Sequence, residues 1–134
     1  MKYTFTAHGH PNILATHQTT LEITKDSELT KKGDCIVAVG ADFSLQQLQR
    51  IVGSCGDGGK IKLTIAVAGL KAEVIAVVNK EFCSENEIVL RRGNFISERT
   101  LGMQADRAAA DIGRKLVEKL KSPSSIVSVT VSNI

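Results

Sequence analysis

Tryptophan is absent and the aromatic residues are one tyrosine and four phenylalanines, which leaves few platforms on which bases could stack. The three cysteines, Cys35, Cys55 and Cys83, are odd in number and form no CxxC, a pattern of reduced intracellular thiols rather than of a secreted disulfide framework. The N-terminal MKYTFTAHGHPN has no apolar targeting region, and no window nears the roughly 18 to 20 uninterrupted apolar residues of a membrane span. A cytoplasmic chain with no membrane partner is expected. The net charge of +3 is spread over interspersed Lys and Arg with no polybasic arm, so nucleic acid is permitted as a partner but not indicated. Also missing are triad spacing, a phosphate loop, a zinc-ligand repeat and a dinucleotide fingerprint, so no cofactor is implied.

With 134 residues, 43% of them hydrophobic, the chain has the size of one domain with a substantial core. Residues 2–8 alternate, with Tyr3, Phe5 and Ala7 on one face, the period of a half-buried strand. Gly9 to Asn12 make a bend. Alternation resumes over residues 13–24, which predicts a strand whose inward set includes His17 and Thr19 beside Leu21 and Ile23. Residues 35–41 form an apolar run suited to a strand buried on both faces. Ser44 and Gln47 have capping-box spacing ahead of a Leu45, Leu48, Ile51, Val52 stripe, which predicts a short helix ending near Gly53.

Residues 61–67 and 72–78 read as a hairpin turning at Gly69 to Lys71. Further strands are predicted at 87–91 and at 127–131. Residues 102–121 have the strongest helical pattern, with Ala105, Ala108, Ala109, Ile112, Leu116 and Leu120 in one stripe, an Asp111–Lys115 pair at i,i+4 and Pro123 beyond the end. The expected architecture is a mainly β (α+β) single domain over 1–134, an antiparallel sandwich with one long C-terminal helix and one short helix.

The segments HPNILATHQTTLEIT, LTKKGDCIVAVGAD and RTLGMQADRAAADIGRKLVEKL resemble an archaeal family known as domain of unknown function 371, over nearly the whole chain. The resemblance implies an archaeal cytoplasmic protein of jelly-roll-like β fold. It implies no activity and no catalytic residue.

Polar residues crowd into 8–42. His8 and His10 share a side of an extended chain, and His17 could add a third nitrogen, but Gly9 and Pro11 bend the backbone and His17 has the opposite strand phase, so a bound metal is not expected. Thr20 and Glu22 share a strand face with Gln18, and Asp34 and Asp42 bracket the next strand, so carboxylates could gather at one rim to hold a cation, an amine or a general-base water. The simpler roles are a hairpin closure for Asp34 and a pre-helical turn for Asp42. Arg99, in a loop with Arg91, Arg92 and Ser97 ahead of the expected long helix, predicts an anion site made with the helix N-terminus. Cys35 reads as a small buried hydrophobe.

Two function classes remain. One is a small-molecule or anion-binding domain, or an enzyme, with ligand-binding residues drawn from His8, His10, His17, Thr19, Thr20, Glu22, Asp34 and Arg99. The other is an RNA- or protein-interaction module without catalytic activity. The pattern leaves the oligomeric state open.

Overall fold

Strand β1 (Lys2–His8) places Phe5 and Ala7 inward and leaves Lys2, Thr4 and His8 exposed, as its alternation predicts. The computed structural model describes residues 1–134, with seven further strands: β2 (Thr20–Thr24), β3 (Ile36–Ala38), β4 (Lys60–Val67), β5 (Leu70–Val78), β6 (Glu87–Arg91), β7 (Thr100–Met103) and β8 (Ile126–Asn133). Helix α1 (Leu45–Ser54) follows β3 and helix α2 (Arg114–Leu120) precedes β8. All eight strands lie in one mixed sheet of order β1-β8-β4-β5-β7-β6-β2-β3. Its twist brings the two edges together at a bridge, where His8 and Val39 exchange backbone hydrogen bonds of 2.7 and 2.9 Å.

The α+β, mainly β expectation holds, whereas the strands are hydrogen-bonded as one sheet and two of the pairings, β2–β3 and β6–β7, are parallel. A parallel β2–β3 pair needs a crossover connection, so Asp34 closes no hairpin. Its carbonyl instead accepts the amides of Thr16 and His17. The concave side holds the core, in which Leu21, Ile23, Ile61, Leu63, Ile65, Val129 and Val131 are fully buried. Helix α1 packs on β8 and β1, and α2 on β3, β4 and β5. Ser44 caps α1 as its spacing predicts, its Oγ accepting the Gln47 amide at 3.3 Å.

Three predicted elements differ. Residues 13–19 are not a strand: Ala15 has φ +51° and His17 is only half-buried, in a loop apart from the strand that carries Leu21 and Ile23. The guanidinium of Arg114 ties this loop down by donating to the carbonyls of Leu14 and Ala15, at 3.3 and 2.9 Å, and to those of Ala109 and Ile112. The third apolar run is regular only over Ile36–Ala38.

The long helix predicted over 102–121 is broken into β7, a one-turn 3₁₀ segment (Ala109–Asp111) and the seven-residue α2. Its apolar stripe is buried as expected. Gly102, however, sits in the sheet against Ala76, where a Cβ would stand 2.7 Å from the Ala76 Cβ, and Gln104 turns the chain with φ +52°. Asp111 makes no pair with Lys115. Its carboxylate accepts the Ala108 amide at 2.8 Å and pairs with Arg92 at 3.2 Å.

The β4–β5 hairpin turns through Ala68 and Gly69, one position earlier than predicted, with φ +50° and +80°. Gly9 fills a different need. A Cβ there would lie 2.2 Å from the Ser122 carbonyl oxygen, so glycine lets β1 pass beneath the end of α2.

Candidate functional site

Because Leu21 and Ile23 point into the core, Thr20, Glu22 and Thr24 face outward from β2. Opposite them on β6 stand Arg91, Val89 and Glu87, and Val89 in turn adjoins Thr100 of β7. On an open sheet face these groups would be solvated. Here Glu22 is 7% exposed and Val89 and Thr100 are fully buried, because the β6–β7 connection, residues 92–99, is folded over them. Three hydrogen bonds anchor that connection: Ser97 N to Thr100 Oγ1 at 3.1 Å, Asn79 Nδ2 to the Ser97 carbonyl at 3.3 Å, and Cys83 N to the Glu98 carbonyl at 2.9 Å.

Arg99 closes the cluster. Its Nη1 reaches Glu22 Oε1 at 3.3 Å and also donates to Glu87 Oε2. Arg91 donates through Nε to Thr100 Oγ1 at 3.1 Å, and its guanidinium lies 4.8 Å from the centre of the Phe95 ring. Burial raises the Glu22 carboxyl to about 7, aided by a shared hydrogen bond and repulsion from Glu87 and opposed by the attraction of Arg99 and Arg91. Burial, then the Glu22 charge, pushes the Cys35 thiol up to about 11, so it stays protonated with Sγ 3.9 Å from Glu22 Oε1. It is a poor nucleophile. Burial and the neighbouring Arg99 lower Arg91, while the hydrogen bond to Glu87 raises Arg99.

On the solvent side of Arg99 and Glu87 opens a hollow of about 630 Å³, lined by residues 83–87 and 97–99. It presents Glu85, Glu87 and Glu98 against one cation, Arg99, together with Cys83, Ser84, Asn86 and Ser97. Glu22 lies behind this wall and touches two of the residues that form it. Glu22 and Glu87 together can share one proton next to a fixed guanidinium.

Of the residues singled out in the sequence, Glu22 and Arg99 meet here, with Thr20 one position along the same face. The Arg99 fork faces carboxylates, and the chain after it enters β7, so the helix start predicted beside it does not exist. His8 is exposed at the edge bridge. His10 and His17 serve turns: His10 Nδ1 accepts the Asn12 amide at 3.0 Å, and His17 Nδ1 accepts those of Thr19 and Thr20 at 3.2 and 3.1 Å. Thr19 is exposed on that turn. No group of three or more His, Cys, Asp or Glu side chains is placed to hold a metal ion.

Asp42 accepts the Thr6 amide at 2.8 Å, beside the edge bridge. Cys35 is half-buried rather than part of the core, and Cys55 is the cysteine buried in it. Sequence reasoning missed Glu87, Glu85 and Cys83. The same-face series Glu87, Val89, Arg91 was the available signal, since a strand with acid and base on one face needs partners there.

The sequence matches the family described as domain of unknown function DUF371 over residues 5–133. The chain belongs to that family. It is also similar to an uncharacterised protein of the archaeon Methanocaldococcus jannaschii, with 36% identity over 130 residues, covering 95% of this chain and 96% of the relative. The match to a family model spans both the β2–β3 region and the β6–β7 connection, so the residues of the cluster lie inside the family domain. No helix of this DUF371 protein is long and apolar enough to cross a membrane.

Proposed function

We propose that this protein is a small-molecule-binding domain whose ligand carries a cationic amine and occupies the hollow between residues 83–87 and 97–99. The observation that carries this reading is the charge of the wall: three carboxylates line the hollow, and its one guanidinium is already engaged by Glu87 and Glu22. An anion entering there would meet Glu85, Glu87 and Glu98 with no free cation in reach. An ammonium group would find acceptors at the same positions, and Ser84, Asn86 and Ser97 supply further hydrogen bonds to a polar ligand.

Glu22 deepens the selectivity. A positive charge bound against Glu87 favours the ionised form of its neighbour, so ligand binding and loss of the shared proton are linked. The reading includes no reaction, because Glu22 does not line the hollow and Cys35 is held as a thiol. It places the protein in the cytoplasm, where three free cysteines persist, and takes the curl of the sheet as the jelly-roll-like path that the family resemblance implies.

Amide-resolved NMR tests the reading with matched small probes: an alkyl amine, a carboxylate, inorganic phosphate and a neutral amide. The amine is expected to shift the amides of residues 83–87 and 97–99, with the effect lost in Glu87→Gln plus Glu98→Gln. Phosphate or carboxylate shifting that set instead, or the amine acting only elsewhere, overturns it.

A further inference from the structure

The basic residues look evenly scattered along the sequence, but the fold gathers five of the seventeen on one face. Strands β1, β8, β4 and β5 are consecutive neighbours in the sheet, and their inward side chains fill the core. Their outward side chains therefore make one continuous surface on which neither helix packs, since α1 and α2 contribute to the core on the other side. The register fixes its rows: Lys2, Ser132, Lys62 and Ile75 in one, Thr4, Thr130, Thr64 and Glu73 in the next, then Thr6, Ser128, Ala66 and Lys71. Lys60 and Arg107 lie at its margins. Arg107 is held there by donating to the Glu73 carbonyl at 3.3 Å.

Two features set this surface apart. The first is charge. Of the chain's 17 basic and 14 acidic residues, Lys2, Lys60, Lys62, Lys71 and Arg107 belong to this face, opposed by Glu73, Asp106 and, on the Thr6 amide at the β1 edge, Asp42. Five basic against three acidic side chains leave this face with +2 of the net charge of +3. Asp106 is further occupied by the Ile75 amide at 2.9 Å, and Glu73 pairs with Lys62 at 3.2 Å. A hollow of about 440 Å³ lies among Lys62, Lys71, Glu73, Asp106 and Arg107.

The second feature is hydroxyl content. Thr4, Thr6, Thr64, Ser128, Thr130 and Ser132 fill the middle of the surface, with Thr4 and Thr130 bonded to each other at 2.9 Å. No aromatic side chain projects from it, because Tyr3 and Phe5 take the core side of β1.

We propose that this face binds double-stranded RNA through its backbone. The lysines suit phosphates, while the continuous field of hydroxyls on the outward, convex face suits the wide, shallow minor groove of an A-form duplex, where 2′-hydroxyls are displayed. Without aromatic platforms the face has no means of holding unstacked bases, which sets single strands aside. Adjacent strands lie about 4.8 Å apart, so the backbones of Lys2 and Lys62, two strands apart in one row, stand about 10 Å from each other with Ser132 between them. Binding of this kind is independent of base sequence. It is separate from the amine site, whose lining shares no residue with this face.

Fluorescence anisotropy of the full chain with a short labelled RNA duplex tests it, using a DNA duplex of the same sequence, the single strand, and phosphatidylserine vesicles as competitors. The duplex is expected to bind with a dissociation constant of roughly 1 to 100 µM at physiological salt. Replacing Lys2, Lys60 and Lys71 together by Gln is expected to weaken binding at least roughly tenfold and to lower the salt slope by about 0.9 per lysine removed. Lys31→Gln plus Lys32→Gln, in the loop before β3, is expected to leave both unchanged. An unaltered salt slope in the triple variant, equal loss in the loop variant, equal affinity for the DNA duplex, or binding to vesicles in place of RNA would overturn the proposal. A melting curve matching the unsubstituted chain shows that the triple variant is folded.

Discussion

Glu22 and Arg99 lie 77 residues apart in sequence and meet at 3.3 Å on the outer face of the sheet, with Glu87 as the second partner of the same guanidinium nitrogen. The contact exists because β6 stands between β2 and β7, so that a residue in mid-β2 and one immediately before β7 approach the same point. It draws a nearly buried carboxyl toward a cation that is still partly in water. That asymmetry explains why the carboxyl is raised although a cation touches it: removal from water outweighs the attraction of a guanidinium that solvent also screens.

A pH dependence of stability follows. Glu22 moves from 4.5 in the unfolded chain to about 7 in the native protein, so between these values the native state holds a proton that the unfolded state has released. The contribution of Glu22 to stability is then fully present below pH 4.5 and is lost as pH rises through 7, by about 3 kcal/mol at most. Glu22→Gln keeps the shape and carries no titrating proton. Its unfolding free energy is expected to change less between pH 5 and pH 8 than that of the unsubstituted chain, and equal changes in urea titrations at the two pH values would refute the assignment.

The turn of the β4–β5 hairpin carries a strained alanine. Two-residue turns with positive φ at both positions favour Asn-Gly, and Ala68 pays the steric cost of a Cβ at φ +50°. Ala68→Asn is expected to stabilise the protein by about 1 kcal/mol, read as an increase in thermal midpoint of about 3 to 4 °C.

Arg114 holds the 13–17 loop by its contacts to the Leu14 and Ala15 carbonyls and steadies the segment ahead of α2 by those to Ala109 and Ile112. Arg114→Ala is expected to cost about 1 to 2 kcal/mol, with hydrogen exchange accelerating first at the Thr16 and His17 amides. A uniform change across the sheet would instead place its role elsewhere.

The strands with clean two-residue alternation, β1, β4, β5 and β8, are legible in the sequence, and so is α1 through its Ser44 cap. Each is decided by local chemistry. The segment from Ile13 to Thr19 alternates as well, but its backbone is set by distant partners, Asp34 and Arg114, that no local pattern reveals. Residues 102–121 fail for a related reason: their helical stripe is a true record of burial, yet the sheet captures Gly102, and Gln104 breaks the period. In the candidate site, Glu22 and Arg99 were recognisable as polar groups out of place, whereas their meeting depends on the β2–β6–β7 order. Glu87 was hidden because a glutamate opening a strand looks solvated until the 92–99 connection is folded over its neighbours.

The most direct test of the site is the titration of the Glu22 side-chain carboxyl, followed by carbon-13 NMR in the free protein, with an alkyl amine bound, and in Arg99→Ala. The expected midpoint is near 7 in the free protein, lower when an ammonium group occupies the hollow beside Glu87, and higher when the Arg99 charge is removed. A carboxyl that titrates near 4.5 in all three would contradict the buried, proton-sharing cluster on which the binding site rests.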